Sequence, residues 1–241
     1  MNRGFTLAEV LITLGVIGVI AALTMPTVIR NFKVKQTVTQ LKKDYSLISN
    51  AVLMAKNEND GLENWGLTGD NEESATLLAD KLKPYFKVIK DCGTEKGEEC
   101  VYQDNFYMLN GSKEDTNDYK FFEKKYYKLL IANGSSVILR GKTECSLLST
   151  KQCAEIYVDI NNKKSPNMLG KDIFYFMVYQ NGQVIPAIIG IDPNDGTNKH
   201  RCNPKAATAG WSCTAWVIYN ENMDYLYCAD KLSWNGKKSC K

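Results

Sequence analysis

Glu9 is the residue near the start of the chain whose chemistry needs an explanation. It is the only charged residue in the 25-residue run from Phe5 to Ile29. A helix of that length can cross a hydrocarbon core of about 30 Å. A carboxylate inside such a span costs roughly 2.5–3.5 kcal/mol or more when it has no partner. We therefore expect Glu9 to meet a cation.

The residues around Glu9 supply a candidate for that cation. The motif Gly4-Phe5-Thr6-Leu7-Ala8-Glu9, which follows a very short basic leader, resembles the class III leader of type IV pilins and type II secretion pseudopilins. The resemblance implies cleavage between Gly4 and Phe5 by a prepilin peptidase on the cytoplasmic side. It also implies N-methylation of the new Phe5 amine and retention of the apolar segment.

Cleavage there frees an α-amine at Phe5, one helical turn from Glu9. In a filament of staggered subunits, the Glu9 carboxylate of one chain can pair with the Phe5 amine of its neighbour and set the axial register. Such a pair favours specificity more than stability. Alternatively, Glu9 reaches the lipid headgroups by itself in the unassembled monomer. The two interpretations can hold at different stages.

A secretory signal peptide and a plain membrane anchor are the competing interpretations of the apolar run. A signal peptide ends at an A-x-A-like cleavage site, and residues 21–24 offer only a poor version of it. The run is also long for the apolar region of a signal peptide. A plain anchor leaves both Glu9 and the Gly4-Phe5 junction without a role.

Small residues line one face of the apolar helix. Gly15, Gly18 and Ala22 are spaced to allow close approach of another helix. Pro26 removes the backbone hydrogen bond to Ala22 and weakens the helix between Gly18 and Pro26. Similarity to pilins implies that this stretch unwinds in an assembled filament. Ordinary membrane-helix composition is the alternative, since Gly and Pro are common in such helices.

The helical pattern continues beyond the apolar run, and Gly61 marks its expected end. A single apolar stripe predicts an amphipathic segment that supports a globular head, with a coiled coil as the less favoured alternative. The stripe residues, at alternating gaps of four and three, are Val34, Val38, Leu41, Tyr45, Ile48, Val52 and Ala55.

The cysteines indicate the compartment of the head. Eight follow the apolar run and none forms a C-x-x-C pair, which argues for disulfides in an oxidising space outside the cytoplasm. The flanking lysines and arginines alone leave the orientation open. Two pairs with equal spacing are expected to close local loops, Cys92 with Cys100 and Cys145 with Cys153. The other four, Cys202, Cys213, Cys228 and Cys240, are expected to pair among themselves.

The head combines helix and strand patterns. A helix is expected after Asp70-Asn71, with a break near Pro84. Two hairpins are expected. One joins residues 127–132 to 136–140 across Asn133-Gly134, and the other joins residues 173–179 to 183–189 across Asn181-Gly182. Further strand positions are residues 155–160. The predicted fold is α+β: a long N-terminal helix on an antiparallel sheet, rich in disulfides.

These patterns divide the chain into four segments. Residues 1–4 form the leader, residues 5–29 the transmembrane half of the helix, residues 30–57 its amphipathic half, and residues 58–241 the head. The expected location is a single pass through the inner membrane with the head in the periplasm or at the cell surface. After assembly the protein would lie in a filament.

No cofactor is expected, and calcium is a weak candidate. Asp192, Asn194 and Asp195 lie in an oxygen-rich loop, and some major pseudopilins bind calcium in a C-terminal loop of this kind. The loop lacks EF-hand spacing, and turn chemistry explains it without a metal. The stretch 159–164 is weaker still, because it contains two lysines.

The rest of the head offers no catalytic pattern. Hydrolase, zinc-protease, nucleotide and dinucleotide motifs are missing, so no enzymatic activity is expected. The formal net charge of +3 leaves no strong nucleic-acid footprint. Trp211, Trp216 and Tyr225 belong to a segment expected to pack on the sheet as a strand or short helix. A binding patch is the alternative.

Resemblance and residues together predict a structural subunit of a type II secretion pseudopilus or a type IV pilus. The large, disulfide-rich head favours a minor subunit. Expected partners are the prepilin peptidase/methylase, other pilin or pseudopilin subunits, the inner-membrane assembly platform and membrane lipid. The alternative is a membrane-tethered binding module for DNA uptake or surface adhesion.

Overall fold

A computed structural model describes residues 6–104, 106–113, 120–142, 145, 152–187, 202–206 and 210–241. The chain divides between Thr37 and Val38 into two compact units. Helix α1, Leu7–Glu58, contributes to both of them. The second unit holds the later part of α1, a sheet and the remaining helices.

The part of α1 in the second unit has the predicted amphipathic character. Its apolar stripe is buried, apart from the half-buried Tyr45, and most of the intervening positions are partly or fully exposed; Asp44 and Ala51 are the buried exceptions. The helix ends at Glu58, close to the expected position, and Gly61 follows with φ of 85°. This backbone conformation suits glycine and takes the chain out of the helix. The buried apolar residues of the stripe are Val38, Leu41, Ile48, Val52 and Ala55.

Six antiparallel strands form one sheet in chain order, so each strand pairs with the next. This meander confirms the predicted α+β class. The strands are β1 Val88–Gly93, β2 Tyr127–Ile131, β3 Ser136–Gly141, β4 Gln152–Asp159, β5 Ile173–Tyr179 and β6 Val184–Pro186.

Both predicted hairpins form, with one difference in length. The β2–β3 hairpin pairs Leu130 with Ser136 across the Asn133-Gly134 turn. In the second hairpin β5 has the predicted bounds, but β6 ends at Pro186. Proline has no N–H to donate to the ladder, but the next residue, Ala187, still donates its N–H to the Tyr175 carbonyl at 3.0 Å. Ile188 and Ile189, which the prediction included, lie outside the described residues.

Helix α2, Glu72–Leu82, begins where the sequence predicted a cap. Asn71 is its N-cap, and the Asn71 side chain accepts a hydrogen bond of 2.8 Å from the Ser74 N–H. A 3₁₀ turn, Lys83–Tyr85, follows at the expected break and contains Pro84. Asp70, the residue before the cap, binds Arg140 of β3 instead.

Helix α1 packs on one face of the sheet through two kinds of contact. The Tyr45 ring stacks on Phe176 of β5, with ring centroids 5.5 Å apart. Asp44 is fully buried and accepts hydrogen bonds from Ser135 and Asn133, which lie in the β2–β3 turn. The turn that closes the hairpin therefore also holds the helix.

The opposite face of the sheet carries an aromatic cluster, because successive strand residues such as Tyr175 and Phe176 point to opposite sides. Tyr175 packs on Tyr157 and Trp211, with centroids 4.9 and 5.6 Å away. Trp216 and Tyr225 are fully buried and Trp211 is nearly so. These three aromatic residues therefore belong to the core, while Tyr219 and Tyr227 of the same segment are exposed.

The C-terminal segment is helical. It contains α3, Cys213–Asn220, α4, Tyr225–Cys228, and a 3₁₀ turn, Ala229–Lys231. Four disulfides join the eight cysteines, each within a short stretch of chain. The two pairs predicted from equal spacing are observed, and the other four cysteines pair among themselves as expected. The bonds are Cys92–Cys100, Cys145–Cys153, Cys202–Cys213 and Cys228–Cys240.

Candidate assembly site on the N-terminal helix

The first described residue of the predicted motif is Thr6. Gly4 and Phe5, the expected cleavage and methylation positions, lie outside the described residues. Both roles therefore stay predictions from the sequence. The geometry of the site begins with Thr6 and with Glu9, which lies in the first turn of α1.

Thr6 and Glu9 bind each other in both directions. The Thr6 N–H and the Thr6 hydroxyl each lie 2.8 Å from Glu9 Oε2, and the Glu9 N–H lies 3.3 Å from Thr6 Oγ1. This is a capping box, in which the cap and the third helical residue satisfy each other's backbone donors. The carboxylate also faces the positive end of the helix dipole. Glu9 therefore stabilises the start of α1 within its own chain.

Sequence reasoning missed this contact, although the signal was present. Thr-x-x-Glu before an apolar run is the capping-box pattern, and Thr6 and Glu9 have that spacing. The prediction assigned Glu9 to a neighbour's cation or to the lipid headgroups, and to no partner within its own chain. In the part of the chain that the structure describes, no salt bridge reaches Glu9, and its partner is Thr6.

Residues 7–29 of α1 present an apolar surface on all sides, with Glu9 as their only charged side chain. Within the described residues, α1 is the one helix long and apolar enough to cross a membrane, and none of its apolar window is buried. A helix of a soluble domain buries one apolar stripe and exposes polar residues elsewhere. This surface therefore needs lipid or other apolar helices around it. Its large exposed side chains are Leu7, Val10, Leu11, Ile12, Leu14, Val16, Ile17, Val19, Ile20, Leu23, Met25, Val28 and Ile29.

Two hydroxyl groups on this surface are satisfied within the helix. Thr13 Oγ1 donates to the Glu9 carbonyl at 3.0 Å, and Thr24 Oγ1 donates to the Ile20 carbonyl at 2.9 Å. Such back-bonding hides polar hydroxyls from an apolar environment. The segment can therefore enter an apolar environment without an unpaired hydroxyl at either position.

The small-residue face is open. A Cβ atom added at Gly15 or Gly18 meets nothing within 4 Å, and Ala22 is exposed. Another helix can approach here more closely than elsewhere on the surface. Pro26 lies inside α1, and the helix continues through it. Unwinding near Pro26 stays an expectation for the assembled state.

The metal candidates cannot be placed in this structure. Asp192, Asn194 and Asp195 lie outside the described residues. Among the residues that are described, no group of three or more His, Cys, Asp or Glu side chains is arranged to hold a metal ion. Calcium binding by residues 192–198 therefore stays a prediction.

Comparison with known proteins supplies two matches that together cover most of the chain. The prokaryotic N-terminal methylation motif matches residues 1–25, which contain the Thr6–Glu9 box and the small-residue face. A family of unknown function, DUF6613, matches residues 27–225. No curated protein and no solved structure matches the chain. The methylation motif is that of type IV pilins and pseudopilins, and the chain is thus a pilin- or pseudopilin-type subunit that belongs to the DUF6613 family.

Proposed function

We propose that this protein is a structural, minor subunit of a pilus-like filament, either a type II secretion pseudopilus or a type IV pilus. It would be cleaved between Gly4 and Phe5, methylated at the Phe5 amine, and packed helix to helix through α1. The observation that carries the proposal is the exposed apolar surface of the first part of α1, where Glu9 is the only charged residue between Phe5 and Ile29. Its work would be mechanical.

The apolar surface of α1 would be covered both before and after the subunit enters a filament. Before assembly, lipid of the inner membrane covers the apolar residues, and Thr6 satisfies the Glu9 carboxylate. After assembly, the apolar helices of neighbouring subunits replace the lipid. The Phe5 amine of a neighbour then offers Glu9 a full positive charge in a low-dielectric environment, where an ion pair is stronger than in water.

The head supports the proposed location. Four disulfides are typical of a compartment that keeps thiols oxidised. The head would therefore lie in the periplasm or at the cell surface, while the leader lies on the cytoplasmic side of the membrane, where the prepilin peptidase/methylase cleaves it. An assembly platform in the inner membrane would extract the subunit from lipid and add it to the filament.

Mass spectrometry of the mature N-terminus tests the processing step. The proposal expects a chain that begins with N-methylated Phe5. A mature protein that begins at Met1, or at a position beyond Thr24, would contradict it. Deleting the peptidase should leave the leader in place, so the unprocessed chain serves as the mass standard.

Replacing Glu9 by alanine separates a filament subunit from a membrane-tethered binding module. A tether keeps its function because it needs only the apolar helix. In a filament subunit, Glu9→Ala removes the ion pair with the neighbour's Phe5 amine, and the variant should be absent from sheared filaments. Quantitative mass spectrometry of those filaments also tests the minor role, which expects this chain at a small fraction of the major subunit.

A further inference from the structure

Two buried acids lie side by side where β4 connects to β5. Asp159 ends β4, Asp172 immediately precedes β5, and each is only 3% exposed. The Ile160 N–H donates to the Asp172 carbonyl at 3.0 Å, and this bond holds the end of β4 beside the start of β5. Two buried carboxyl groups at one place stay protonated unless a partner of opposite sign or a metal ion stabilises their charged forms.

The protein supplies hydrogen bonds to this pair but no ion pair. Asp172 accepts from the Met168 N–H at 2.6 Å and from the Asn167 N–H at 2.9 Å. Asp159 accepts one bond, from the Asn161 N–H at 3.2 Å. No salt bridge from a described lysine or arginine reaches either acid.

Two amide oxygens at the same place also lack partners. Asn161 Oδ1 and Asn167 Oδ1 are both buried and neither accepts a hydrogen bond. Asn167 is 2% exposed, and its own N–H touches Asp172. The Asn161 side chain lies against the same acid, with Nδ2 3.3 Å from Asp172 Oδ2. Buried carbonyl oxygens rarely stay unpaired in native proteins. Both residues also contact Asp172, Asn167 through its backbone N–H and Asn161 through its side-chain amide, and a rotation of the Asn161 amide would turn its unpaired oxygen toward the acid in place of Nδ2.

We propose that this cluster binds one divalent cation, Ca²⁺, through the carboxylates of Asp159 and Asp172 and the amide oxygens of Asn161 and Asn167. All four ligands are oxygen atoms, which suit calcium and do not suit zinc or copper. Calcium takes roughly six to eight oxygens, so water or backbone carbonyls would complete the shell. Magnesium fits less well because it keeps most of its waters.

Lysines in the connecting loop do not oppose this assignment. The Lys163 ammonium donates to the Glu98 backbone carbonyl at 2.8 Å, so it binds another loop and not the two acids. Lys164 and Lys171 are exposed. The bound cation would fasten the β4–β5 connection to the end of the sheet and stabilise the head. The site is separate from the oxygen-rich loop at residues 192–198, and it does not depend on the proposed filament role.

The test uses the full chain in detergent, stripped with EGTA and titrated with CaCl₂ by calorimetry. We expect one bound ion per chain and a melting temperature about 5–10 °C higher when Ca²⁺ is about a hundredfold above its dissociation constant. Asp159→Asn keeps the size of the side chain and removes its charge, so it should weaken binding at least about tenfold. The matched control, Asp192→Asn with Asp195→Asn, should bind as the wild type does.

Asn161→Ala is a second variant that leaves both acids in place, in case Asp159→Asn does not fold. It should also weaken calcium binding. The proposal is wrong if the wild-type chain binds no Ca²⁺ at millimolar concentration. It is equally wrong if the Asp192/Asp195 variant loses binding while the Asp159 and Asn161 variants keep it, since the metal would then belong to the other loop.

Discussion

The Thr6 hydroxyl lies 2.8 Å from Glu9 Oε2, so the acid of the apolar helix has a partner within its own subunit. The capping contact and the proposed contact with a neighbour's amine make different demands on residue 9. A cap needs only an acceptor oxygen, whereas an ion pair needs a negative charge. A single substitution can therefore separate the two roles.

Glu9→Gln should be processed and held in the membrane like the wild type but should not enter filaments. Glutamine can serve at this position of a capping box, so the start of α1 is preserved while the charge is lost. The measurement is an immunoblot of sheared filaments beside one of the membrane fraction. Thr6→Ser, which keeps the hydroxyl, is the control and should assemble normally. Wild-type filament levels in Glu9→Gln would mean that the acid acts as a cap alone.

Gly18→Leu should leave the subunit intact and lower its incorporation into filaments several-fold. A side chain at this position meets nothing within 4 Å inside the chain, and leucine favours the helix more than glycine does. The added bulk would keep a neighbouring helix at a distance. Gly18→Ala adds one methyl group and should have a smaller effect. Equal filament yield from both variants and the wild type would show that this face is not a packing surface.

Local patterns made much of the fold predictable. The β2–β3 hairpin follows from Asn133-Gly134 between apolar runs, and α2 follows from its Asn71 cap. Strand β1 was not predicted, because residues 88–93 do not alternate. Its pairing with β2 is also irregular, with two shifts of register. Such a strand forms because β2 lies beside it, and a pattern within residues 88–93 carries no information about that neighbour.

Contacts between distant residues could not be predicted from spacing. Asp44 meets Ser135, and Arg140 meets Asp70, across stretches of chain whose approach depends on the whole fold. The Asp159 and Asp172 pair likewise depends on the register of β4 with β5. The Thr6–Glu9 box is different, because a search for Thr-x-x-Glu would have found it.

Asp44 should make the stability of the head depend on pH. Burial raises the pKa of Asp44 in the folded protein, despite hydrogen bonds from Ser135, Asn133 and Gln40 and the charge of Lys43. The folded chain therefore binds this proton more tightly than the unfolded chain, whose aspartates titrate near about 3.9. The contribution of Asp44 is fully present below that pH and is lost as pH rises through the folded pKa.

The measurement compares melting temperatures of the wild type and Asp44→Asn between acid and neutral pH. Asparagine does not titrate, so the wild-type advantage over Asp44→Asn should shrink as pH rises. Asp44→Ala should be less stable at every pH by about 1–3 kcal/mol, because Ser135 and Asn133 then lose a buried acceptor. A difference between wild type and Asp44→Asn that stays constant with pH would contradict the raised pKa.

Arg140 should be the charged residue of the sheet whose loss is most harmful. Its side chain is buried, with Nε 2.6 Å from Asp70 Oδ1 and Nη1 3.1 Å from Glu155 Oε2. Arg140→Met leaves the buried Glu155 without this guanidinium, so we expect a loss of about 3–5 kcal/mol in the free energy of unfolding.

Lys142→Met is the matched control for Arg140→Met, because the Lys142 Nζ lies 2.9 Å from Glu155 Oε1 and contacts the same acid. The Lys142 side chain is 27% exposed, and partly solvated pairs contribute about 0–1 kcal/mol. Chemical unfolding of both variants measures the difference. Adding Glu155→Gln to Arg140→Met should recover part of the loss, since no buried carboxylate is then left with Lys142 as its only cation. Equal losses from the two single variants would mean that burial does not set the strength of this network.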